Sequence, residues 1–289
     1  MIPITIIGAG IAGLACARRL TQAGLAPVVL DKGRGIGGRV ATRRVDAMQF
    51  DHGAQYVTAR TPGFAAVLEG LQTAGALGDW PDDDGRQRCV GRPGMSSLAK
   101  AMGQELDIRQ GVQVTGVTQT GAGWDLHLGQ TLLQTKRVVI TVPAPQVVGL
   151  LGADHPLTKA VSPVRMAPCL TLMAAVAAPS AFQSRQDHDD PLAWIAHDNS
   201  KPDRPQGTTP WVAQAGQGFS EQHPEQDPTA IAQRMLPLRC DRLGVTVDDV
   251  VHAAAHRWPY ARVTGAPSHP FLRRVDGPLH WCRHLSLRS

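Results

Sequence analysis

The strongest constraint on the fold is a glycine pattern near the start of the chain, Gly8-Ala9-Gly10-Ile11-Ala12-Gly13. Residues 2–7 before it are apolar and rich in isoleucine, which is typical of a short buried parallel strand. Residues 11–23, which begin inside the pattern, carry apolar side chains at helical spacing. A second apolar run, 27–30, then leads to Asp31. The order strand, glycine turn, helix and strand predicts a β-α-β unit.

Each glycine of such a unit has a physical role. Gly8 permits the tight turn off the strand, Gly10 lets the backbone approach a pyrophosphate, and Gly13 lets the helix pack closely on the sheet. The first turn of the helix, which includes Ala12, presents backbone N–H groups and a partial positive charge to the phosphates. Asp31 ends the second strand, where its carboxylate can accept hydrogen bonds from ribose hydroxyls and disfavours a 2′-phosphate. The pattern therefore predicts a bound dinucleotide, FAD or NAD rather than NADP.

The bulk composition is that of a globular protein. The 289 residues suffice for one large domain or for two smaller ones that share a core. The net charge is +5, but the arginines are scattered and no aromatic–basic motif is present, so we expect no nucleic-acid partner. The positive charge fits either a basic cleft for an anionic ligand or an ordinary solvated surface.

The five cysteines form no C-x-x-C pair and are odd in number, which argues against a disulfide framework and against a structural zinc site. We therefore expect no metal and a reducing, cytoplasmic location. No apolar run approaches the roughly 20 residues that span a membrane, so no membrane association is expected. The apolar N-terminus superficially resembles a signal peptide, but it lacks a basic first segment.

A second glycine-rich loop follows directly, Lys32-Gly33-Arg34-Gly35-Ile36-Gly37-Gly38-Arg39. An NAD dehydrogenase has no need of this loop, whereas an extended FAD runs past the second strand. There Gly38 would let the backbone touch the pyrophosphate while Arg39 neutralises it. The alternative is a flexible surface turn. After the first glycine pattern, the loop favours FAD.

These motifs resemble those of the flavoproteins with two dinucleotide-binding domains, which include the amine oxidases. Longer strings are similar to the renalase family, especially its bacterial members. They are residues 31–39, Asp51-His52-Gly53-Ala54-Gln55-Tyr56-Val57-Thr58-Ala59-Arg60, Val90-Gly91-Arg92-Pro93-Gly94-Met95-Ser96, Val142-Pro143-Ala144-Pro145-Gln146, Asn199-Ser200-Lys201-Pro202 and His256-Arg257-Trp258-Pro259-Tyr260-Ala261-Arg262. The resemblance covers nearly the whole chain and thins over the last ten residues.

The resemblance implies a set of site residues. Beside the glycine motif, Asp31, Lys32, Gly38 and Arg39, it places Gln55 and Tyr56 at the flavin and the backbone of Val112 at the adenine. It also implies that the loop Pro93, Gly94, Met95 and Ser96 faces the substrate. Tyr56, Arg60, Trp194 and Lys201 are further candidate substrate residues, because an aromatic ring can stack on a nicotinamide and a cation can pair with phosphate. Plain core packing is the alternative for Trp194.

The predicted fold class is α/β, a Rossmann-like FAD-binding domain with a second antiparallel-sheet (α+β) substrate domain. We assign residues 1–60, 88–160 and 262–289 to the first domain and residues 61–87 and 161–261 to the second. Residues 50–60 are predicted as a strand that crosses near the cofactor, and residues 81–85 as a solvated acidic turn. In the second domain, the apolar residues 164–177 and the short segment 211–215 are predicted as strands, and residues 228–243 as a helix interrupted by Pro237.

The chain departs from the related flavoproteins at its end. They continue with Gly-Asp and a last helix directed at the flavin, whereas here Leu279-His280-Trp281-Cys282 is followed by Arg283-His284. We expect this C-terminal part of the FAD domain to be incomplete. Cys89 and Gln214 also replace a tryptophan and a histidine that are usual in the family.

The first functional hypothesis is an FAD-dependent oxidoreductase resembling renalase. The resemblance implies oxidation of 2- or 6-dihydronicotinamide dinucleotides to NAD(P)⁺, with hydride transfer to flavin N5 and oxygen as the final acceptor. The alternatives are a flavin amine oxidase and a dinucleotide-binding protein without turnover. We name no catalytic residue, because hydride transfer from such a donor needs no general base, and we predict no oligomeric state.

Overall fold

The computed structural model describes residues 1–81, 88–177, 180, 182–224, 227–265, 271–273 and 279–282. The chain forms two compact units. Of the described residues, the first contains Met1–Arg39, Ala99–Met166 and those from 263 to 282, and the second contains those of Val40–Leu98 and Ala167–Arg262. Within the described residues, no helix is both long and apolar enough to cross a membrane.

The helices of the described residues, numbered along the chain, are α1 (Ile11–Gln22), α2 (Pro62–Thr73), α3 (Ser96–Met102), α4 (Ala144–Leu151), α5 (Pro156–Val161), α6 (Gln217–Gln222) and α7 (Pro228–Leu243).

The strands are β1 (Ile4–Ile7), β2 (Pro27–Asp31), β3 (Arg43–Val45), β4 (Met48–Phe50), β5 (Leu77–Asp79), β6 (Cys89–Gly91), β7 (Asp107–Gln110), β8 (Gly116–Thr120), β9 (Gly123–Leu128), β10 (Thr131–Thr135), β11 (Val138–Ile140), β12 (Arg165–Val176), β13 (Ser184–Gln186), β14 (Trp194–His197), β15 (Thr209–Gln214), β16 (Val250–Gly265), β17 (Phe271–Arg273) and β18 (Leu279–Cys282).

The first unit is built on a six-stranded sheet in the order β17-β18-β11-β1-β2-β7. The pairs of β1 with β2 and β11, of β2 with β7, and of β11 with β18 are parallel. All four residues of β1 are buried, as a central parallel strand with both faces covered requires. Helix α1 connects β1 to β2, so the predicted β-α-β unit is confirmed.

A three-stranded antiparallel sheet, β10-β9-β8, completes this unit. Its inward residues, among them Trp124 and Leu126, join Val138 and Ile140 of the large sheet in one apolar cluster. Val147 of α4 and Leu157 of α5 pack into the same cluster. The small sheet and the two helices are therefore held to the large sheet by shared burial of apolar area.

The second unit is built on a five-stranded sheet in the order β13-β14-β15-β12-β16. Strand β15 pairs antiparallel with both β12 and β14. Helix α7 contributes Ile231 and Met235 to a core that also contains Leu172, Ile195 and Trp211. The two hairpins β3-β4 and β5-β6 belong to the same unit. The architecture confirms the predicted fold class.

Three expectations differ from the structure. Residues 40–60 and 88–98, assigned above to the first domain, lie in the second unit, where an ion network centred on Asp51 holds them. Conversely, residues 161–166, assigned to the second domain, lie in the first unit. Residues 51–56 are irregular rather than a strand, since no strand of the described residues pairs with them. Phe50 belongs to β4, and Val57 makes an isolated bridge. Helix α7 continues through Pro237. Residues 82–85 of the predicted acidic turn and residues 283–289 of the predicted incomplete end lie outside the described residues.

Candidate cofactor and substrate sites

The turn from β1 into α1 has the geometry that the glycine pattern predicts. Gly8 has a φ of +107°, which favours glycine. A Cβ on Gly13 would lie 1.9 Å from the carbonyl oxygen of Gly8, so no larger residue fits there without moving the helix. The hydroxyl of Thr141, the residue directly after β11, donates to that carbonyl at 2.9 Å and fixes the turn.

The N-terminus of α1 is capped by Gly10 with no side-chain hydrogen bond, and its first turn contains no acidic residue. The first N–H groups of a helix have no intrahelical acceptor and carry a partial positive charge. A glycine-lined helix start without a carboxylate of its own is the arrangement that takes a phosphate group. The turn therefore fits the pyrophosphate of a dinucleotide.

Asp31 lies directly beside this turn. One carboxylate oxygen accepts from the backbone N–H of Ala9 at 2.6 Å, and the other accepts from that of Gly33 at 2.7 Å. An ionised carboxylate has further acceptor capacity, so ribose hydroxyls can still bind it. The backbone N–H of Val112 donates to the carbonyl oxygen of Asp31 at 2.9 Å, which brings the residue predicted at the adenine to the same strand end.

The second glycine loop packs on the first. The N–H of Gly37 donates to the carbonyl of Ala9 at 2.8 Å, and a Cβ on Gly38 would lie 3.7 Å from the Cα of Gly10. Gly38 also has a left-handed φ of +58°. Arg39 follows, and burial lowers the pKa of its guanidinium to about 10. Lys32 is exposed. The two glycine loops, Asp31 and Arg39 thus form one cradle that fits the phosphates and ribose of FAD.

Within the second unit, Asp51 is the centre of a buried ion network. Its carboxylate accepts from Arg204 Nη2 at 2.7 Å, from Lys201 Nζ at 3.4 Å and from the hydroxyl of Thr42 at 2.6 Å. It also accepts from the backbone N–H of Met95 at 2.9 Å. Burial alone would raise the pKa of Asp51, but the two cations and these hydrogen bonds outweigh it and hold the pKa below its usual value.

Asp198 is the second carboxylate of this network. Lys201 Nζ donates to it at 2.6 Å, and the backbone N–H of Asp51 donates to its other oxygen. Burial and the nearby charge of Asp51 raise the pKa of Asp198, although Lys201 and Arg204 oppose that shift. Two carboxylates and two cations, all with side chains no more than 1 % exposed, therefore compensate one another.

The network engages two residues that were predicted to meet ligands. Lys201 Nζ also donates to Gln55 Oε1 at 3.2 Å, so this ammonium has two carboxylates and one amide oxygen as partners within the unit. The amide nitrogen of Gln55 donates to the carbonyls of Asp51 and Gly53, and Gln55 is fully buried. The side chains of both residues act in the structure as internal supports of residues 51–56.

The predicted substrate loop is tied to the same network. Met95 is fully buried, and its N–H contacts Asp51 as described above. The carbonyl of Pro93 accepts from the side chain of Gln49 at 2.5 Å, while the ring of Pro93 itself is exposed. A Cβ on Gly94 would lie 2.9 Å from the hydroxyl of Thr42. Ser96 Oγ is buried and, among the described residues, has no hydrogen-bond partner. Of this loop, Ser96 retains a polar group for a ligand.

Tyr56 and Trp194, both predicted to contact substrate, lie side by side with ring centroids 5.7 Å apart. Trp80 packs against Trp194 at 6.3 Å. The guanidinium carbon of Arg88 lies 4.7 Å from the ring centroid of Tyr56, 5.1 Å from that of Trp194 and 5.6 Å from that of Trp80. We call Tyr56, Trp80, Trp194 and Arg88 the aromatic cluster. Arg60 is exposed and does not belong to it.

A group of histidines lies beside residue 51. His52 stacks on Trp258 at 5.3 Å and meets His256 edge-on at 5.2 Å, and Trp258 Nε1 donates to the carbonyl of His52 at 2.9 Å. Burial, together with His256 and Arg43, lowers the pKa of His52 to about 4. The ring is therefore neutral at physiological pH, which makes it an uncharged neighbour of the network.

The sequence did not single out Asp51, Asp198, Arg204, Trp80 or Arg88 as site residues. Trp80 and Arg88 flank the predicted acidic turn. The signal that could have identified them is the hairpin β5-β6, which brings the two residues together: the backbone N–H of Trp80 donates to the carbonyl of Arg88 at 2.8 Å. Two three-residue strands give too little periodicity to predict that pairing. The carboxylates and Arg204 are distant in sequence, and only the folded chain shows that they meet.

The fold is shared with solved oxidases. A putative protoporphyrinogen oxidase from Exiguobacterium sp. 255-15 superposes with a TM-score of 0.73 at 14% identity, over 93% of this chain and 89% of that one. A cyclohexylamine oxidase from Brevibacterium oxydans IH-35A gives a TM-score of 0.68 at 15% identity, over 97% and 92%. A putrescine oxidase bound to putrescine gives 0.69 at 13% identity, over 97% and 92%.

Two family models match the sequence. A model of the NAD(P)-binding Rossmann-like domain matches residues 6–71, which contain both glycine loops and Asp31. A model of the flavin containing amine oxidoreductases matches residues 63–273, well over half of the chain. The chain therefore belongs to the family of flavin-containing amine oxidoreductases, with FAD as its cofactor.

Proposed function

We propose that this protein oxidises isomeric dihydronicotinamide dinucleotides to NAD(P)⁺ with oxygen as the final electron acceptor, as its resemblance to renalase implies. The observation that carries the proposal is the guanidinium of Arg88 among three aromatic rings. We also propose a cytoplasmic location, which is supported by Cys89, Cys169 and Cys240, whose thiols form no disulfide within the described residues.

The aromatic cluster supports an anionic, planar substrate. Tyr56 is half-buried, so part of its ring remains accessible for stacking on a nicotinamide. The guanidinium carbon of Arg88 lies 4.7 Å from the centroid of the same ring and places a positive charge beside it. A dinucleotide brings phosphate charges that this environment favours, whereas a protonated amine brings a like charge that it disfavours.

The cradle of the first unit has a separate role. The turn at residues 8–13, the N-terminus of α1, Asp31 and Arg39 would hold the pyrophosphate and ribose of FAD. FAD supplies a two-electron acceptor for hydride and a route for passing electrons to oxygen. The contributions of the protein are then binding and orientation, and the donor needs no proton removed by a side chain. Accordingly, no residue is assigned as a general base.

A flavin amine oxidase is the second candidate. It is favoured by the family description and by the amine oxidases among the solved structures of the same fold. The structural likeness, at 15% identity or less, concerns the fold and leaves the substrate open. The resident guanidinium in the aromatic cluster is the feature that weighs against this candidate.

The test is a comparison of electron donors with the purified FAD-loaded protein. Under anaerobic conditions, 2- and 6-dihydronicotinamide dinucleotides should bleach the flavin spectrum, and in air they should yield peroxide. Putrescine, cyclohexylamine and benzylamine should do neither at the same concentrations. Rapid reduction by an amine without reduction by either dihydronicotinamide would reverse the choice between the two candidates. A protein that binds no FAD on reconstitution would exclude both.

A further inference from the structure

Arg88 lies where three aromatic rings of the second unit converge. All three distances from its guanidinium carbon to the ring centroids, 4.7, 5.1 and 5.6 Å, are within the range of about 6 Å over which a ring attracts a cation. Arg88 is 6% exposed, and Trp80 and Trp194 are 2% and 3% exposed. The contact is therefore largely shielded from water, where cation–π attraction is strongest.

We propose that Tyr56, Trp80 and Trp194 form a cation-binding cage that Arg88 occupies, and that Arg88 is thereby the residue that makes this site reject cationic amines. The inference rests on the proposed function for one point, that these rings adjoin the substrate. The cage and its occupant follow from the distances alone.

The cage and its occupant are anchored by neighbouring elements of the same unit. The backbone N–H of Trp80 donates to the carbonyl of Arg88 at 2.8 Å, so the backbones of a cage residue and of its occupant are hydrogen-bonded to each other. Trp80 Nε1 donates to Ser200 Oγ at 3.1 Å. Arg88 Nη1 donates to Ser184 Oγ at 3.4 Å, next to β14, which carries Trp194.

An incoming ammonium group finds this cage occupied. The guanidinium of Arg88 already covers the ring surfaces that would attract it, with its carbon 4.7 Å from the centroid of Tyr56 and 5.1 Å from that of Trp194. The guanidinium also carries the same charge as the ammonium, and the low exposure of the rings reduces the screening by water. Removing the arginine should therefore turn an occupied cage into a vacant one that still attracts cations.

The experiment is chemical complementation of Arg88→Ala with ethylguanidinium, followed by tryptophan fluorescence and thermal shift. The variant should bind the probe saturably, about ten-fold or more tightly than the wild type. Trp194→Leu in the Arg88→Ala background should abolish that binding. The control is Arg185→Ala, which removes an exposed arginine whose guanidinium carbon lies 5.6 Å from the ring of Phe182 and should leave probe binding at the wild-type level. Equal probe binding by the wild type and by folded Arg88→Ala would overturn the proposal.

A loss of the folded state in Arg88→Ala would also test the proposal. Millimolar ethylguanidinium should then restore its melting transition, whereas sodium chloride at the same concentration should not. Failure of the probe to bind or to restore the variant counts against the cage.

Amine rejection is tested by competition. Benzylamine should displace ethylguanidinium from Arg88→Ala and should show no saturable binding to the wild type. If benzylamine binds both proteins equally, Arg88 does not determine the specificity. These readouts need neither FAD nor turnover, so they are independent of the donor assay. Binding of the probe to Arg88→Ala without dihydronicotinamide oxidation by the wild type would refute the proposed function and leave the cage intact.

Discussion

Arg239 is an arginine at a core position of α7, and its replacement should stabilise the protein. The buried residues Ile231, Met235 and Arg239 recur every four positions and therefore form one stripe of the helix. Arg239 is 0% exposed, and none of its three guanidinium nitrogens has a hydrogen-bond partner among the described residues. Burial lowers its pKa, and the adjacent Cys240 opposes this only in part. The helix thus buries a cation for which the described part of the chain supplies no compensating anion.

The expected magnitude follows from the desolvation of that charge. An ion buried without a partner costs several kcal/mol, and replacing buried ions by apolar groups of similar volume is often stabilising by about 1–4 kcal/mol. Arg239→Met keeps an unbranched chain in the apolar stripe and removes the charge. We expect a gain of about 1–4 kcal/mol in the free energy of unfolding, which corresponds to roughly 2–4 °C in Tm for each kcal/mol.

The assay is urea unfolding, with the midpoint and the slope compared between variants. Arg242→Met is the matched control on the same helix: Arg242 Nε donates to Asp190 at 2.5 Å and its side chain is 32% exposed, so its loss should cost about 1 kcal/mol or less. Arg239→Lys keeps the charge and should give no gain. A loss of more than about 1 kcal/mol in Arg239→Met would refute the view that the guanidinium is an uncompensated charge.

Three further perturbations test other parts of the structure. Gly13→Ala should abolish the retention of FAD, measured by flavin absorbance, because its Cβ would lie 1.9 Å from a backbone carbonyl oxygen. The control Gly70→Ala in α2, where a Cβ would meet nothing within 4 Å, should retain FAD. Equal retention of FAD by the two variants would contradict the packing argument. Lys201→Met should lower the free energy of unfolding by about 3–5 kcal/mol, because it leaves Asp198 without its nearest cation. Lys100→Met, at an exposed lysine, should change it little. A loss under about 1 kcal/mol in Lys201→Met would show that the ion network is not a source of stability. The pKa of His52 falls from 6.5 to about 4 on folding, so the unfolded chain binds the proton first and stability is lost as pH decreases from 6.5 to 4. His52→Phe should therefore reduce the slope of Tm against pH in this range, whereas His188→Phe, at an exposed histidine, should not. An unchanged slope in both variants would show that His52 is not the source of the pH dependence.

The first forty residues could be predicted well because their signals are local. The strand, the helix start and Asp31 are adjacent in sequence, and the glycines report backbone constraints that do not depend on distant residues. The structure accordingly brings Gly8, Gly13, Asp31 and Gly38 together in one cradle. Strand and helix positions in the second unit were also close, since residues 164–177 and 211–215 were expected as strands and the structure has β12 and β15 there.

The second site could be predicted only in part. Tyr56 and Trp194 do meet, but the sequence carried no sign that Arg88 would lie between them and Trp80. Gln55 and Lys201 carry polar groups suited to ligands, yet in the structure those groups bind Asp51 and Asp198. Residue type alone does not distinguish a cation that waits for a ligand from one that already has two carboxylates.

The division has a physical basis. A glycine turn that enters a helix creates its phosphate site from backbone groups within a few residues, so the chain order alone predicts the dinucleotide cradle. The aromatic cluster and the ion network join residues up to 153 positions apart, and their chemistry depends on which charges share a buried volume. Burial sets the pKa of His52, the partners of Lys201 and the occupant of the aromatic cage, and burial is a property of the folded chain.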